Sequence, residues 1–345
     1  MRSELDRTRE LVLHHGWNTT CYQIVNPGIE RWLADDAVVG YVDKYGVRVV
    51  AGAPVCAEGE LGATMRRFEW ESGNKVCYFG AEERVHRHAS ESSRYSTSVL
   101  GAQPVWSPES WRRAIQSSAS LRAQLNRSRS KGVTVREWDA SDATGSPQLQ
   151  EILTYWLATR GLPPMHFLVE PETLGLLLDR RVFVAERQGV PVAFTVFAPI
   201  PERNGFLTEQ FVRGKGAPNG TVELMVSEAI KVVGRDGAEM VTMGMVPLSR
   251  KVPASPTDPG WLRFTMNWVR AHGRRFYDSD GLEWFKNKFK PDRWDPIYAI
   301  STERRFSFRT LYAIAGAFTG MPPWLAVLRG GLKAVRKEAH RFVRP

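Results

Sequence analysis

A chain of 345 residues is long enough for two domains, and its formal net charge of +10 favours anionic partners: nucleic acid, phospholipid surfaces or phosphorylated substrates. With 43% hydrophobic and 24% charged residues it has the balance of a globular protein with a packed core, which excludes a disordered chain and a bundle of membrane helices. Cys21, Cys56 and Cys77 form no CxxC pair, which argues against a zinc knuckle or a disulfide framework and fits a reducing cytoplasm.

In chain order, residues 1–10 are charged and carry no apolar stretch, unlike a signal peptide. Residues 38–55 place apolar, β-branched runs on either side of a turn at Tyr45-Gly46, which predicts a hairpin. Glu82, Glu83, His86 and His88 sit among polar neighbours and predict a solvated surface, not a metal site. Ser107-Pro108-Glu109 opens a helix, and residues 118–131 predict a second that Gly132 stops. Arg122, Arg127, Arg129 and Lys131 give this second helix a cationic face. Residues 148–160 are amphipathic. Residues 181–200 are strand, turn and strand about Gln188-Gly189. A helix is expected over 222–233, a buried strand over 239–245 and a Pro-rich loop over 251–260. Residues 310–328 carry no charge between Arg309 and Arg329, but Gly316, Gly320 and Pro322-Pro323 interrupt them. This segment suits a membrane surface first, internal packing or an oligomer contact second, and a span least. Residues 301–345 hold nine Lys/Arg against two Asp/Glu, so +7 of the net charge lies there.

The two hairpins share a grammar. Asp43-Lys44-Tyr45-Gly46-Val47 parallels Glu186-Arg187-Gln188-Gly189-Val190 at an offset of 143 residues, which implies duplicated domains.

GxSxG, HExxH, P-loop and Rossmann signatures are absent from the sequence. Arg213-Gly214-Lys215-Gly216-Ala217-Pro218 approximates the phosphate-cradling turn of acyl-CoA acetyltransferases, yet Pro218 has no N–H to offer. The stretch richest in chemistry is 207–249, where Glu209 and Arg213 lie on a strand and Glu223 opens a helix. Later, Lys286, Lys288 and Lys290 alternate around Phe285 and Phe289.

These stretches resemble the catalytic domain of bacterial phosphatidylglycerol lysyltransferases, the multiple peptide resistance factors. Gln210-Phe211-Val212-Arg213 corresponds to the family's Asp-Leu-Met-Arg, and 218–223 to Pro-x-Gly-x-Met-Asp. Residues 242–249 correspond to Asn-Leu-Gly-Met-Ala-Pro-Leu-Ser, and Gly281-Leu282, Phe285-Lys286-Asn287-Lys288-Phe289, Pro291, Trp294, Pro296 and Tyr298 match in order Gly-Leu-x-x-Phe-Lys-x-Lys-Phe-x-Pro-x-Trp-x-Pro-x-Tyr, with one residue more between Pro291 and Trp294. Weaker likeness runs through Gly16–Gln23, Gly52-Ala53-Pro54 and the basic helix, so the resemblance spans about residues 10–300. This chain has Gln210 and Ala53 where the family has Asp, and Ile297 where it has Arg.

The resemblance implies an α/β fold of two tandem acetyltransferase-like (GNAT) domains, each a mixed, mostly antiparallel sheet flanked by helices. The expected division is 1–115, a basic linker helix at 116–135, a catalytic domain at 136–300 and a membrane-interface tail at 301–345, without the family's membrane flippase. The implied activity is transfer of an aminoacyl group from aminoacyl-tRNA to a phospholipid such as phosphatidylglycerol. Glu223, Arg213, Glu209 and Lys286 are the expected catalytic residues. Gln210, Met245, Ser249, Lys288, Phe289 and Tyr298 would bind substrate, and Arg122, Arg127, Arg129 and Lys131 the tRNA. Neither metal nor cofactor is expected, the aminoacyl-tRNA being a co-substrate. The expected partners are that tRNA, an anionic membrane surface at the cytoplasmic face and a homo-oligomer still to be tested. The rival readings are an acyl-CoA-dependent N-acyltransferase and a non-catalytic lipid- or tRNA-binding protein.

Overall fold

A computed structural model of the chain describes residues 3–160, 165–255, 258–272 and 278–325. The N-terminal half runs α1 (Glu4–His15), β1 (Glu30–Ala34), β2 (Ala37–Lys44), β3 (Val47–Ala51), α2 (Leu61–Ser72), β4 (Lys75–Ala81), α3 (Glu83–Ser90) and β5 (Ser96–Trp106). Two helices, α4 (Pro108–Ser117) and α5 (Ala119–Ser130), lead to β6 (Val133–Trp138), α6 (Ala140–Ala143), α7 (Pro147–Thr159), β7 (Arg181–Arg187), β8 (Val190–Ile200) and β9 (Gly205–Arg213). Then come α8 (Thr221–Arg235), β10 (Met240–Thr242), β11 (Val246–Pro247), α9 (Gly260–His272), α10 (Ser279–Asn287), β12 (Arg293–Ser301) and α11 (Phe308–Thr319).

Local chemistry sets these boundaries. Ser107 caps α4 with its side chain and Pro108 takes the first helical position, where a missing N–H costs nothing. Ser118 caps α5 in the same way. Both expected hairpins form. Tyr45 and Gly46 have φ of 53° and 73°, and Gln188 and Gly189 have 54° and 78°, the paired left-handed geometry that matches the twist of a two-residue hairpin.

The strands form one sheet in the order β1-β2-β3-β4-β12-β5-β10-β9-β8-β7-β6, with β11 beside β5. Each half has antiparallel strands ending in a parallel pair bridged by a helix: β3–α2–β4 in the first, β9–α8–β10 in the second. This arrangement defines two acetyltransferase-like units. Counted from the parallel pair, the β2–β3 hairpin corresponds to β8–β9, not to β7–β8. The duplication stands, but the hairpins matched in the sequence are one strand out of register. Turn grammar recurs wherever a two-residue hairpin is needed, whereas the bridging helices mark true equivalence, and these begin at Leu61 and Thr221.

Two boundaries differ from expectation. Strand β12, expected in the C-terminal domain, lies antiparallel between β4 and β5 of the N-terminal half. Its alternating side chains fill both faces: Ala299 joins the core under α1 and α11, and Ile300 the core under α2. The tail differs too. The first part of the uncharged segment is α11, which buries Ala313, Ile314 and Ala317 against β2 and β3 and ends at Gly320 with φ 62°. Ala313, Ile314 and Ala317 serve the core, so a membrane surface does not explain these three. Residues 326–345, which carry most of the tail's charge, lie outside the described residues.

Candidate active site

Strands β9 and β10 pair only through Gly205–Leu207 and Met240–Thr242. Beyond that point β9 continues to Arg213 while the other chain segment turns through Met243-Gly244-Met245 to β11. Helix α10 bridges the opening. Phe285 packs on Phe211 of β9 with ring centroids 5.9 Å apart, and Lys286 reaches the departing strand. Its Nζ donates to the carbonyls of Met243 at 2.7 Å, Gly244 at 2.8 Å and Met245 at 3.3 Å. Lys286 is 3% exposed. Burial pushes its ammonium down to about 7. The three carbonyls match the three donors of the protonated form.

Lys288, at the C-terminal cap of α10, forms a 2.5 Å ion pair with Glu223 in the first turn of α8. Its Nζ also lies 4.2 Å from the Phe285 ring centroid, a cation–π contact. A carboxylate at a helix start is favoured by the helix dipole, and here a cation meets it beside aromatic rings. The turn after β11 is tied to the same helix: Ser249 donates to Glu283 of α10 at 2.7 Å, and the Arg250 N–H donates to the same oxygen. Met245 is half-buried against the N-terminal core. Glu223, Lys286, Lys288, Met245 and Ser249 therefore gather around α10.

The other expected residues do not join them. Glu209 is held by Arg180, whose Nε donates to both carboxylate oxygens at 3.0 and 3.1 Å, and by Gln23 at 2.6 Å. Arg180 also donates to Asn26 at 2.6 Å and lies over the Tyr22 ring. Next to it, Asp179 accepts from Arg9 and Tyr22, both at 2.6 Å; burial raises its carboxyl, but these donors outweigh burial and hold it below the usual range. Glu209 thus ties the two halves together, with both of its oxygens accepting hydrogen bonds. Gln210 points to the other face of β9, donating to the Pro171 carbonyl and Thr173. Arg213 is exposed and folds onto its own loop, donating to the Ala217 carbonyl at 2.7 Å. Phe289 is fully buried in the core and stacked on Trp111. Tyr298 lies in the N-terminal half, stacked on His86 at 4.1 Å, with its hydroxyl pushed up to about 12 by burial and Glu83.

On α5, Arg127 and Lys131 are exposed, Arg129 pairs with Glu228 at 2.8 Å, and Arg122 donates to the Gln116 carbonyl of the preceding helix. The expected solvated cluster is corrected at Glu82, which is 5% exposed and pairs with Arg203 at 2.7 Å while accepting from Thr19 and Gln103. This network was not apparent in the sequence, because Glu82, Gln103 and Arg203 come from segments far apart in the chain. A cavity of about 360 Å³ opens beside it, lined by Trp17, Arg84 and Asp295 among others, and none of the expected site residues lines it. The 213–218 turn is poor in free donors: Gly214 N–H is committed to the Val192 carbonyl and Ala217 N–H to Gly214, while Pro218 has none.

The fold and these contacts define a tandem acetyltransferase-fold protein whose acidic and cationic groups gather where β9 and β10 part. Comparison with known families places it further. Residues 9–301 match the family model described as phosphatidylglycerol lysyltransferase, C-terminal, and the chain belongs to that family. No curated protein matches it. Among solved structures it resembles a domain named as the C-terminal part of a putative lysylphosphatidylglycerol synthetase from Agrobacterium fabrum, with TM-score 0.77 and 19% identity over 92% of this chain and 97% of that one. It also resembles L-PGS from Bacillus licheniformis, with TM-score 0.73 and 18% identity over 95% and 96%. A conserved protein of unknown function from Bacteroides thetaiotaomicron follows at 0.61 and 13%, over 86% and 96%.

Proposed function

We propose that this protein transfers an aminoacyl group from aminoacyl-tRNA to the hydroxyl of a phospholipid of the phosphatidylglycerol type, working at the cytoplasmic face of the membrane. The observation that carries the reading, beside family membership, is the Glu223–Lys288 pair set against α10 at the opening between β9 and β10.

The ester on tRNA is already activated, so the protein needs only to position the acceptor and balance charge. Glu223 accepts the proton of the attacking hydroxyl as the new ester C–O bond forms. The bond to the ribose oxygen breaks, and that oxygen leaves as a hydroxyl by taking the proton back from Glu223. The Lys288 ammonium steadies the negative charge that builds on the carbonyl oxygen. In the unliganded protein the two groups satisfy each other, and substrate separates them. Lys286 acts indirectly, by fixing the 243–245 carbonyls that shape one wall. The exposed Arg127 of α5 and Lys131 at its C-terminal cap, with Arg213, supply phosphate contacts without sequence preference.

The test supplies aminoacyl-tRNA and phosphatidylglycerol to the purified protein and measures aminoacylated lipid by mass spectrometry. Glu223→Gln is expected to lower the product by about 100-fold or more, as loss of a general base does, while leaving tRNA binding essentially unchanged. Labelled acyl-CoA with an amine acceptor is expected to give no product. Turnover with acyl-CoA and none with charged tRNA would overturn the reading in favour of an N-acyltransferase; tRNA and lipid binding without any turnover would reduce it to a binding protein.

A further inference from the structure

Helix α9 is built inside out. Leu262 is fully buried and Met266 packs against the N-terminal core, so one narrow stripe faces inward. The larger apolar side chains lie on the other side. Trp261, Phe264 and Trp268, spaced i, i+3 and i+7, share one face and are 37%, 71% and 55% exposed. The face continues onto the next helix in space, α11, where Phe308 is 65% exposed with its ring 6.2 Å from that of Trp261. Single exposed apolar residues need no explanation, but four large aromatics arrayed on two adjoining helices do.

Charge identifies the occupant. Helix α9 contains no Asp or Glu. Arg263 beside the stripe, and Arg304 and Arg305 just before Phe308, are all exposed. Of the nearby carboxylates, Glu303 is paired with Lys75 and Asp258, just before α9, is buried. Aromatic rings flanked by arginines fit the boundary between acyl chains and anionic headgroups, where rings enter the interface and guanidiniums stay with phosphate. A protein partner of ordinary surface would not require this one-signed rim. Helix α9 is also joined to the site: Arg270, on its inner side, donates to the Leu248 carbonyl and pairs with Asp280 of α10.

We infer that the α9 face, with Phe308, seats the protein on an anionic phospholipid bilayer and presents headgroups to the opening beside α10. This deepens the lipid-acceptor reading and rests on it for the purpose of docking, but the surface can be tested without any turnover. The described helices include none long and apolar enough to cross a membrane, so contact is by lying in the interface.

The experiment measures sedimentation of the full chain with vesicles of equimolar phosphatidylglycerol and phosphatidylcholine, and with phosphatidylcholine alone. Two variants are compared: Trp261→Ser/Phe264→Ser/Trp268→Ser, and Arg304→Glu/Arg305→Glu. The wild type is expected to bind the mixed vesicles about tenfold or more strongly than the zwitterionic ones. The serine variant is expected to lose about tenfold or more on mixed vesicles, and the glutamate variant to fall to the phosphatidylcholine level. Because all five residues are exposed, thermal unfolding should stay within a few degrees of wild type, and the glutamate variant keeps the test decisive if the serine variant fails to fold. Wild-type binding by both variants would overturn the inference. So would a wild-type dimer that ignores vesicles and becomes monomeric in the serine variant, which would assign the face to a second copy. Transfer to a water-soluble short-chain phosphatidylglycerol, which needs no docking, should persist in the serine variant; its absence in the wild type, with vesicle binding intact, would count against the catalytic reading alone.

Discussion

A lysine drawn into the interior against three backbone carbonyls sets the chemistry at the residue scale. Lys286 has its pKa lowered by burial to about 7, against an ordinary value of 10.5. Between these values the unfolded state binds the extra proton, so stability contributed through this group rises with pH from about 7 to 10.5 and the cost of the buried charge is fully present below 7. Lys286→Met should remove that slope, which urea unfolding at about pH 6.5 and about pH 9 measures directly. At about pH 9 the variant should also be less stable, by about 1–3 kcal/mol, because the buried carbonyls lose a donor. An unchanged pH slope would show that the amine is not the titrating group. The sequence displayed the lysines but not their division of labour. Lys286 and Lys288 look equivalent in an alternating stripe, yet on a helix residues two apart face different ways, so one is interior and the other meets Glu223. Glu209 misled for a different reason: its partner Arg180 is 29 residues away on the chain, and nothing local to β9 announces the pair.

Elements were readable where local chemistry decides and unreadable where packing does. The capped starts of α4 and α5, the helix at 148–160 and both hairpins follow from Ser, Pro and Gly placement. The uncharged 310–328 segment was ambiguous because a core helix and an interfacial one carry the same residues, and only the packing of Ala313 and Ala317 separates them. One element-scale test isolates packing from backbone strain. Gly220 begins α8 at φ 92°, and a Cβ there would lie 2.3 Å from the Gln124 carbonyl of α5. Gly237, at the other end, has φ 95° with nothing within 4 Å. Gly237→Ala should cost only the left-handed strain, about 1 kcal/mol, and Gly220→Ala clearly more, since two helices must separate. Equal shifts in the urea midpoint would mean that the α5–α8 contact yields without cost.

The whole molecule is where sequence order misleads most. A reader of the chain pairs neighbours, but β12 skips back to close the N-terminal sheet between β4 and β5, pairing Ser301 with Ser96 and Cys77. Its motif identified the family without revealing which half it completes. This crossing, the bonds that Gln23 and Asn26 make to the Arg180–Glu209 pair, and the β5–β10 ladder join the halves by independent routes. Removing one partner of a buried pair leaves an uncompensated charge, so Glu209→Ala should cost about 3–5 kcal/mol. The cost should be felt on both sides of the junction. The same logic applies to Ile300, fully buried in β12, where substitution by Ala should cost about 2–5 kcal/mol. If the halves were separable, that loss would appear only in the N-terminal unit. Because the sheet is continuous, the two units should unfold in one transition, and Ile300→Ala should lower amide-exchange protection in β8 and β9 as much as in β2 and β3. Protection that falls in β2 and β3 alone would mean that the strand crossing joins the halves in space without joining them in energy. A shared transition would mean instead that the opening beside α10 is held in shape by the N-terminal half as well as by its own.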